Sequence, residues 1–176
     1  MFIAEVKLKS PYGYRSPHTF DRLLRKARKV GDAVAIHTDP RWGGSLHLVE
    51  EAAMRCRQPI LAKGIHFSDH EVGAAFKAGA TWVLTVGREI SHPQTWYEPS
   101  LSAWANSFYS TIRHNGVRVC NSRDLQTGEF HPEIWGIARQ VYNGPLIQAS
   151  GIRGPEDVKP DAYGFIVGEH LMDWPE

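Results

Sequence analysis

Glu5 and Lys7 stand two apart in the run Phe2-Ile-Ala-Glu-Val-Lys7, so on a strand they project to the same side. Three further polar side chains close short apolar runs: Lys63 ends the run from Pro59, Glu98 the run from Thr95, and Asn121 the run from Val117. If these runs are parallel strands of one sheet, two carboxylates, two amines and an amide meet at one end of it. Charges are costly to bury unless paired, so the set predicts a hydrated, ion-paired cavity centred on lysine. A structural salt-bridge layer is the alternative reading.

A second constellation lies near the C-terminus, in Ser150-Gly-Ile-Arg-Gly-Pro-Glu-Asp157 and in Val167-Gly-Glu-His-Leu-Met172. Both read as glycine-rich turns that leave a strand. Bare backbone N–H groups and the start of a short helix at such turns can hold a phosphate. Two ordinary tight turns would have the same sequence.

Two other signals point elsewhere. His66 and His70 are four apart, as zinc ligands on a helix can be, but no third ligand is evident and Ser68 starts a helix between them. Both are expected to be surface histidines. Cys120 adjoins Asn121, yet alternation along the strand turns it away from the cavity toward a helix layer, where it serves as packing.

The elements that must position these residues alternate along the chain. Eight β-type runs are predicted at Phe2–Lys7, Ala33–Thr38, Pro59–Lys63, Trp82–Val86, Thr95–Glu98, Val117–Asn121, Leu146–Ala149 and Gly164–Val167. Between them Ser45 opens a helix striped by Leu48, Val49, Ala52, Ala53 and Cys56, and Ser68 with Glu71 forms a capping box. Another helix is expected from about Ser100 through Trp104, Phe108 and Ile112 to Gly116, and a further one from Pro132 to the Asn143-Gly144 stop. Eight strands linked by helices predict a single (β/α)8 barrel over residues 1–176, with polar strand ends forming the active face.

The barrel should be a trimmed one. The chain starts at its first strand, ends just after its eighth and leaves about nine residues between the fourth and fifth. A parallel sheet needs both faces covered, so the bare outer face is expected to meet the aromatics Trp96, Tyr97, Trp104, Phe108 and Tyr109 or a second subunit in a homo-oligomer.

Composition narrows the class. Apolar residues are 42% and charged residues 22% of the 176, as in ordinary globular proteins. With 20 Lys and Arg against 19 Asp and Glu, a large nucleic-acid footprint is not expected, and the basic run Arg22–Lys29 reads as the solvated face of a helix. No run approaches the roughly 18 apolar residues of a membrane span. Two cysteines and no leader before Phe2 predict a cytoplasmic protein.

The motifs themselves resemble a known family. The first-strand Glu-x-Lys followed by Ser10-Pro11, Thr38-Asp-Pro-Arg-Trp-Gly-Gly-Ser45, Pro59-Ile-Leu-Ala-Lys63, Asn121-Ser-Arg-Asp-Leu125, Ser150-Gly-Ile152 and Val167-Gly168 are similar, in order and spacing, to those of indole-3-glycerol phosphate synthases. The resemblance implies closure of the indole ring of 1-(2-carboxyphenylamino)-1-deoxyribulose 5-phosphate, with loss of carbon dioxide and water and no metal or organic cofactor. It implies that Lys63 is the general acid, that Glu98 transfers a proton during dehydration, that Glu5 orients Lys63, and that Asn121 positions the reacting centre. It further implies that Lys7 and Arg123 bind substrate anions, that Trp42 stacks on the anthranilate ring, and that Ser10 and Ser150 contact substrate. Gly151, Gly168 and Glu169 would hold the phosphate.

The chain departs from the family pattern at three places. Ala149 stands where the family carries a glutamate before the Ser-Gly-Ile turn, Gly64 and Ile65 replace an aspartate and an aromatic after the third-strand lysine, and the family's helical extension ahead of the first strand is expected to be missing. Two other functions therefore compete: a homologue that binds a phosphorylated ligand or a partner protein without efficient turnover, and a different phosphosugar reaction such as isomerisation. The Glu-x-Lys of the first strand speaks against isomerisation.

Overall fold

The computed structural model describes residues 1–106 and 116–176. Eight parallel strands close on themselves in sequence order: β1 (Phe2–Val6), β2 (Ala33–His37), β3 (Ile60–Lys63), β4 (Trp82–Val86), β5 (Thr95–Glu98), β6 (Arg118–Asn121), β7 (Leu146–Ala149) and β8 (Gly164–Val167), with β8 pairing back onto β1 through Ile3 and Ile166. The (β/α)8 barrel expected from the sequence is therefore present, and each strand falls within a residue of its expected bounds.

Five α-helices are described: α1 (Phe20–Val30), α2 (Leu46–Arg55), α3 (Asp69–Lys77), α4 (Leu101–Asn106) and α5 (Ile134–Val141). Local chemistry sets their starts. Thr19, Ser45 and Ser68 each cap a helix by accepting a backbone N–H three residues on, and Glu71 completes a capping box with Ser68. Leu23, Leu24 and Ala27 of α1 and Val49 and Ala52 of α2 are buried against outward residues of the sheet such as Ala4, Val34 and Ile36. Phe108, Tyr109 and Ile112, expected to extend the helix at Leu101, lie outside the described residues.

The strand faces segregate two cores. Ile3, Ala33, Ala35, Leu61, Leu84, Trp96, Val119, Ile147, Ala149 and Ile166 fill the barrel interior. Trp96 thus corrects the expectation that it covers the outer face: it shares a face with Glu98 two residues on and points inward, stacked on Trp82 at 4.8 Å. Alanines at 33, 35 and 149 make room for so large a ring. Cys120 lies on the other face among Trp104, Ile134 and Trp135, as expected for packing, and burial pushes its thiol up to about 12.

Where no α-helix follows a strand, smaller devices cover the sheet. Behind β8, Trp174 packs on Phe165 and on Phe2, which themselves stack at 5.1 Å. After β7 the chain makes only a 3-10 turn at Pro155–Asp157, a thin covering not anticipated from the sequence. Gln148 secures it: its buried amide donates to the Asp157 carbonyl at 3.0 Å and accepts the Lys159 N–H at 2.8 Å. Replacing it by leucine leaves both loop groups without a partner, at about 1–3 kcal/mol each. Gln148→Leu should lower the urea midpoint by an amount consistent with this cost, and an unchanged midpoint would show that the loop is held by other contacts.

Candidate active site

The strand ends converge as the alternation requires. Glu5 of β1 is buried, and its Oε1 receives Lys63 Nζ from β3 at 3.0 Å and also contacts His37 Nε2 from β2. Burial works to raise the Glu5 carboxyl, but Lys63, His37 and Lys7 together outweigh it and hold the group well below the usual carboxylate range. The turn after β8 closes in from the other side: a Cβ on Gly168 would lie 2.5 Å from Glu5 Oε2, so only glycine admits this approach.

Glu98 and Asn121 form a second cluster. Asn121 Nδ2 donates to Glu98 Oε1 at 2.9 Å, while its Oδ1 accepts from Ser150 Oγ at 2.6 Å and from the Arg123 backbone N–H at 3.1 Å. A backbone N–H can only donate, which fixes the amide orientation and with it the direction of the chain from Ser150 to Glu98. Ser150 is held there by a left-handed backbone (φ 68°), uncommon for a residue with a side chain, and Gly151 follows in the same region at 71°.

Two adjoining hollows open above the strand ends and share Lys7, Lys63, Arg123 and Ser150. One, narrow, is walled by Tyr12, Trp42, Ile65, Leu84 and Val86 and reaches Glu98 and Asn121. The other, roomier, runs over Gly151, Gly168 and Glu169. Arg123 donates to the Gly128 carbonyl at 2.8 Å and lies 6.0 Å from the Tyr12 ring, and Lys7 pairs with Glu169 at 2.7 Å. The Glu169 carboxylate thus engages a lysine, which the sequence does not reveal. Ser10, buried in the loop after β1, accepts the Tyr12 N–H through Oγ. Tyr12 in turn donates to the Leu125 carbonyl at 2.6 Å, joining that loop to the loop after β6.

Glu5, Lys7, Lys63, Glu98, Arg123 and Glu169 therefore border the two adjoining hollows, with Asn121, Ser150 and Trp42. His37 was missed, although it follows Ala33 and Ala35 at the inward spacing of β2 and the rule that selected Glu5 and Lys63 also selects it. His66 is a correction. It is buried, not a surface histidine, with Nδ1 on the Leu84 carbonyl at 2.7 Å and Nε2 on Thr38 Oγ1 at 2.9 Å. Gly64 makes that bridge possible, because a Cβ there would lie 2.1 Å from Thr38 Oγ1. Among the described residues no group of three or more His, Cys, Asp or Glu could hold a metal ion.

Similarity to known proteins runs in the same direction. The chain is 24% identical over 193 residues to the indole-3-glycerol phosphate synthase of Sulfurisphaera tokodaii, covering 98% of this chain and 78% of that protein. It is 29% identical over 194 residues to the one of Desulfosudis oleivorans, covering 97% and 73%, and 25% identical over 204 residues to the one of Staphylococcus saprophyticus, covering 97% and 74%. No family model matches the chain.

Burial is the largest influence on Glu98 and raises its carboxyl, with Lys63 and the Asn121 hydrogen bond opposing and Glu5 adding to the rise. The unfolded chain releases this proton first, so stability falls as pH rises from the ordinary value of 4.5 through the raised folded value. Glu98→Gln cannot ionise and still offers an oxygen to Asn121. It should raise Tm at about pH 7 and flatten the decline above the ordinary carboxylate range, in thermal scans from about pH 4 to about pH 8. A lower Tm across that range would contradict the account of a costly buried charge.

Proposed function

We propose that this protein is a lyase of the indole-3-glycerol phosphate synthase type, closing the indole ring of 1-(2-carboxyphenylamino)-1-deoxyribulose 5-phosphate with loss of carbon dioxide and water. The observation that carries the reading is Lys63, paired with Glu5 in one hollow and bordering the adjoining one together with Glu98 and Asn121. The ring carbon bearing the carboxylate attacks the substrate carbonyl, and Lys63, whose ammonium is held by Glu5, delivers the proton that the carbonyl oxygen gains. Carbon dioxide leaves with the bond to the ring, whose electrons restore the aromatic system. Water then departs, with Glu98 moving a proton; a carboxyl raised by burial suits acid and base duty near neutral pH.

The remaining residues bind and orient. Arg123 and Lys7 face substrate anions, the Ser150–Gly151 and Gly168–Glu169 turns border the hollow suited to the phosphoryl group, and the Trp42 wall accommodates the aromatic ring. Incubation with the substrate should yield a product with indole fluorescence. Lys63→Ala should lower kcat/KM by about 10²–10⁴-fold, the range associated with a positioned proton donor. A folded protein giving no product at any substrate concentration would remove the proposal.

A second reading has one observation in its favour. Ala149 presents a buried methyl to the barrel interior, so β7 brings no carboxylate to the cavity. If the protein only binds phosphorylated ligands, calorimetry should register tight association with the substrate while the fluorescence assay stays flat.

A further inference from the structure

We infer that His37 is a positioning residue for Lys63, acting through the Glu5 carboxylate that both of them touch. The inference rests on the reaction proposed above for what Lys63 accomplishes, while its structural half stands on geometry alone.

His37 ends β2 facing the barrel interior and is 5% exposed. Its Nε2 meets Glu5 Oε1, the same oxygen that takes Lys63 Nζ at 3.0 Å. An ionised carboxylate only accepts, so the proton between the two groups sits on Nε2. Nδ1 is then the bare ring nitrogen, and it is buried with no hydrogen-bond partner among the described residues. A second proton on Nδ1 would create a buried cation with nothing to receive that N–H, so the imidazole stays neutral. The ring is held parallel to Trp42, at 1° and 5.8 Å between centroids. From behind, Gly44 packs so closely that a Cβ there would lie 2.2 Å from the His37 carbonyl oxygen.

The charges around this pair come from several elements. Glu5 and Lys7 face His37 from β1 and its end, Lys63 from β3, and Asp39 from the turn that follows His37 itself, while Glu5 also acts on Glu98 of β5. Burial is the largest influence on the imidazole and lowers it, the two lysines lower it further, and Glu5 opposes them. Glu5 is therefore held by a neutral donor on one strand and an ammonium on another, both on Oε1, which fixes the side of the carboxylate that Lys63 can approach. Without His37, Oε1 keeps one donor, Glu5 takes up its proton at a higher pH, and Lys63 loses its counter-charge there.

Nitrogen-15 NMR of the histidine rings, with His37→Leu and His37→Gln as variants, tests this. In the unaltered protein the His37 ring should remain neutral, protonated on Nε2, from about pH 5 to about pH 8. In the ring-closure assay the acid limb of kcat/KM should move up by about one pH unit in His37→Leu, with the basic limb in place, because a hydrogen bond to a charged group is worth about that much. Gln, whose amide can donate to Glu5, should restore most of the shift. A ring protonated on Nδ1 or charged near neutrality would overturn the geometry, and a uniform loss of rate with an unmoved acid limb would reduce His37 to packing. Should the unaltered protein turn over no substrate, only the proposed reaction fails: carbon-13 NMR of the Glu5 carboxyl in the same variants then reads the same upward shift, and its absence overturns the inference.

Discussion

A single carboxylate oxygen, Glu5 Oε1, ties together the first three strands of the barrel. Lys63 and His37 both meet it, and the glycine turn after β8 closes over the other oxygen. Removing water from a carboxylate is expensive, and the cost is offset only while its partners stay in place. The closed barrel supplies that constancy, because β1 is hydrogen-bonded to β2 on one side and β8 on the other, and β2 to β3. Loss of either partner would leave a buried charge short of compensation. The ion pair thus depends on the fold more than the fold depends on it.

The other carboxylate of the cavity has the opposite character. Glu98 is 3% exposed and receives one amide hydrogen bond, so burial dominates and its carboxyl rises, whereas Glu5, equally deep, is held anionic by cationic neighbours. Two groups of one chemical type, bordering adjoining hollows, are thereby given separate proton affinities, the arrangement that acid–base chemistry at constant pH requires. The Asn121 amide is the hinge of this difference. Its nitrogen is committed to Glu98 and its oxygen to Ser150 and the Arg123 backbone, so it cannot turn over without losing three contacts.

Much of this was legible in the amino-acid sequence, because it rests on period-two alternation and on short-range punctuation. Each strand is a brief apolar run that ends near glycine, proline or a polar cluster, and Glu5, Lys63, Glu98 and Asn121 fall at inward, terminal positions of theirs. Trp96 shows the same rule neglected: its distance of two from Glu98 places it inside, but its place in an aromatic-rich segment suggested a covering role. His66 and Gln148 were not legible for a different reason. Their burial depends on partners brought close only by the closed ring, Thr38 and Leu84 for the imidazole and the loop beyond β7 for the amide. Solvation of a lone polar side chain depends on tertiary neighbours that local periodicity does not encode.

The tryptophan inside the barrel gives the site its underside. Trp96, at 3% exposure and ringed by the buried Ile3, Leu61, Val119 and Ile147, plugs the barrel interior and stacks on the partly buried Trp82. Among the described residues, the hollows that border Glu5, Lys63 and Glu98 lie at the opposite end of the barrel, where the loops carry Tyr12, Trp42, Arg123 and Glu169. A guest seated against the charged side chains therefore rests on a bed of packed aromatic and aliphatic groups and turns its other side to the loops.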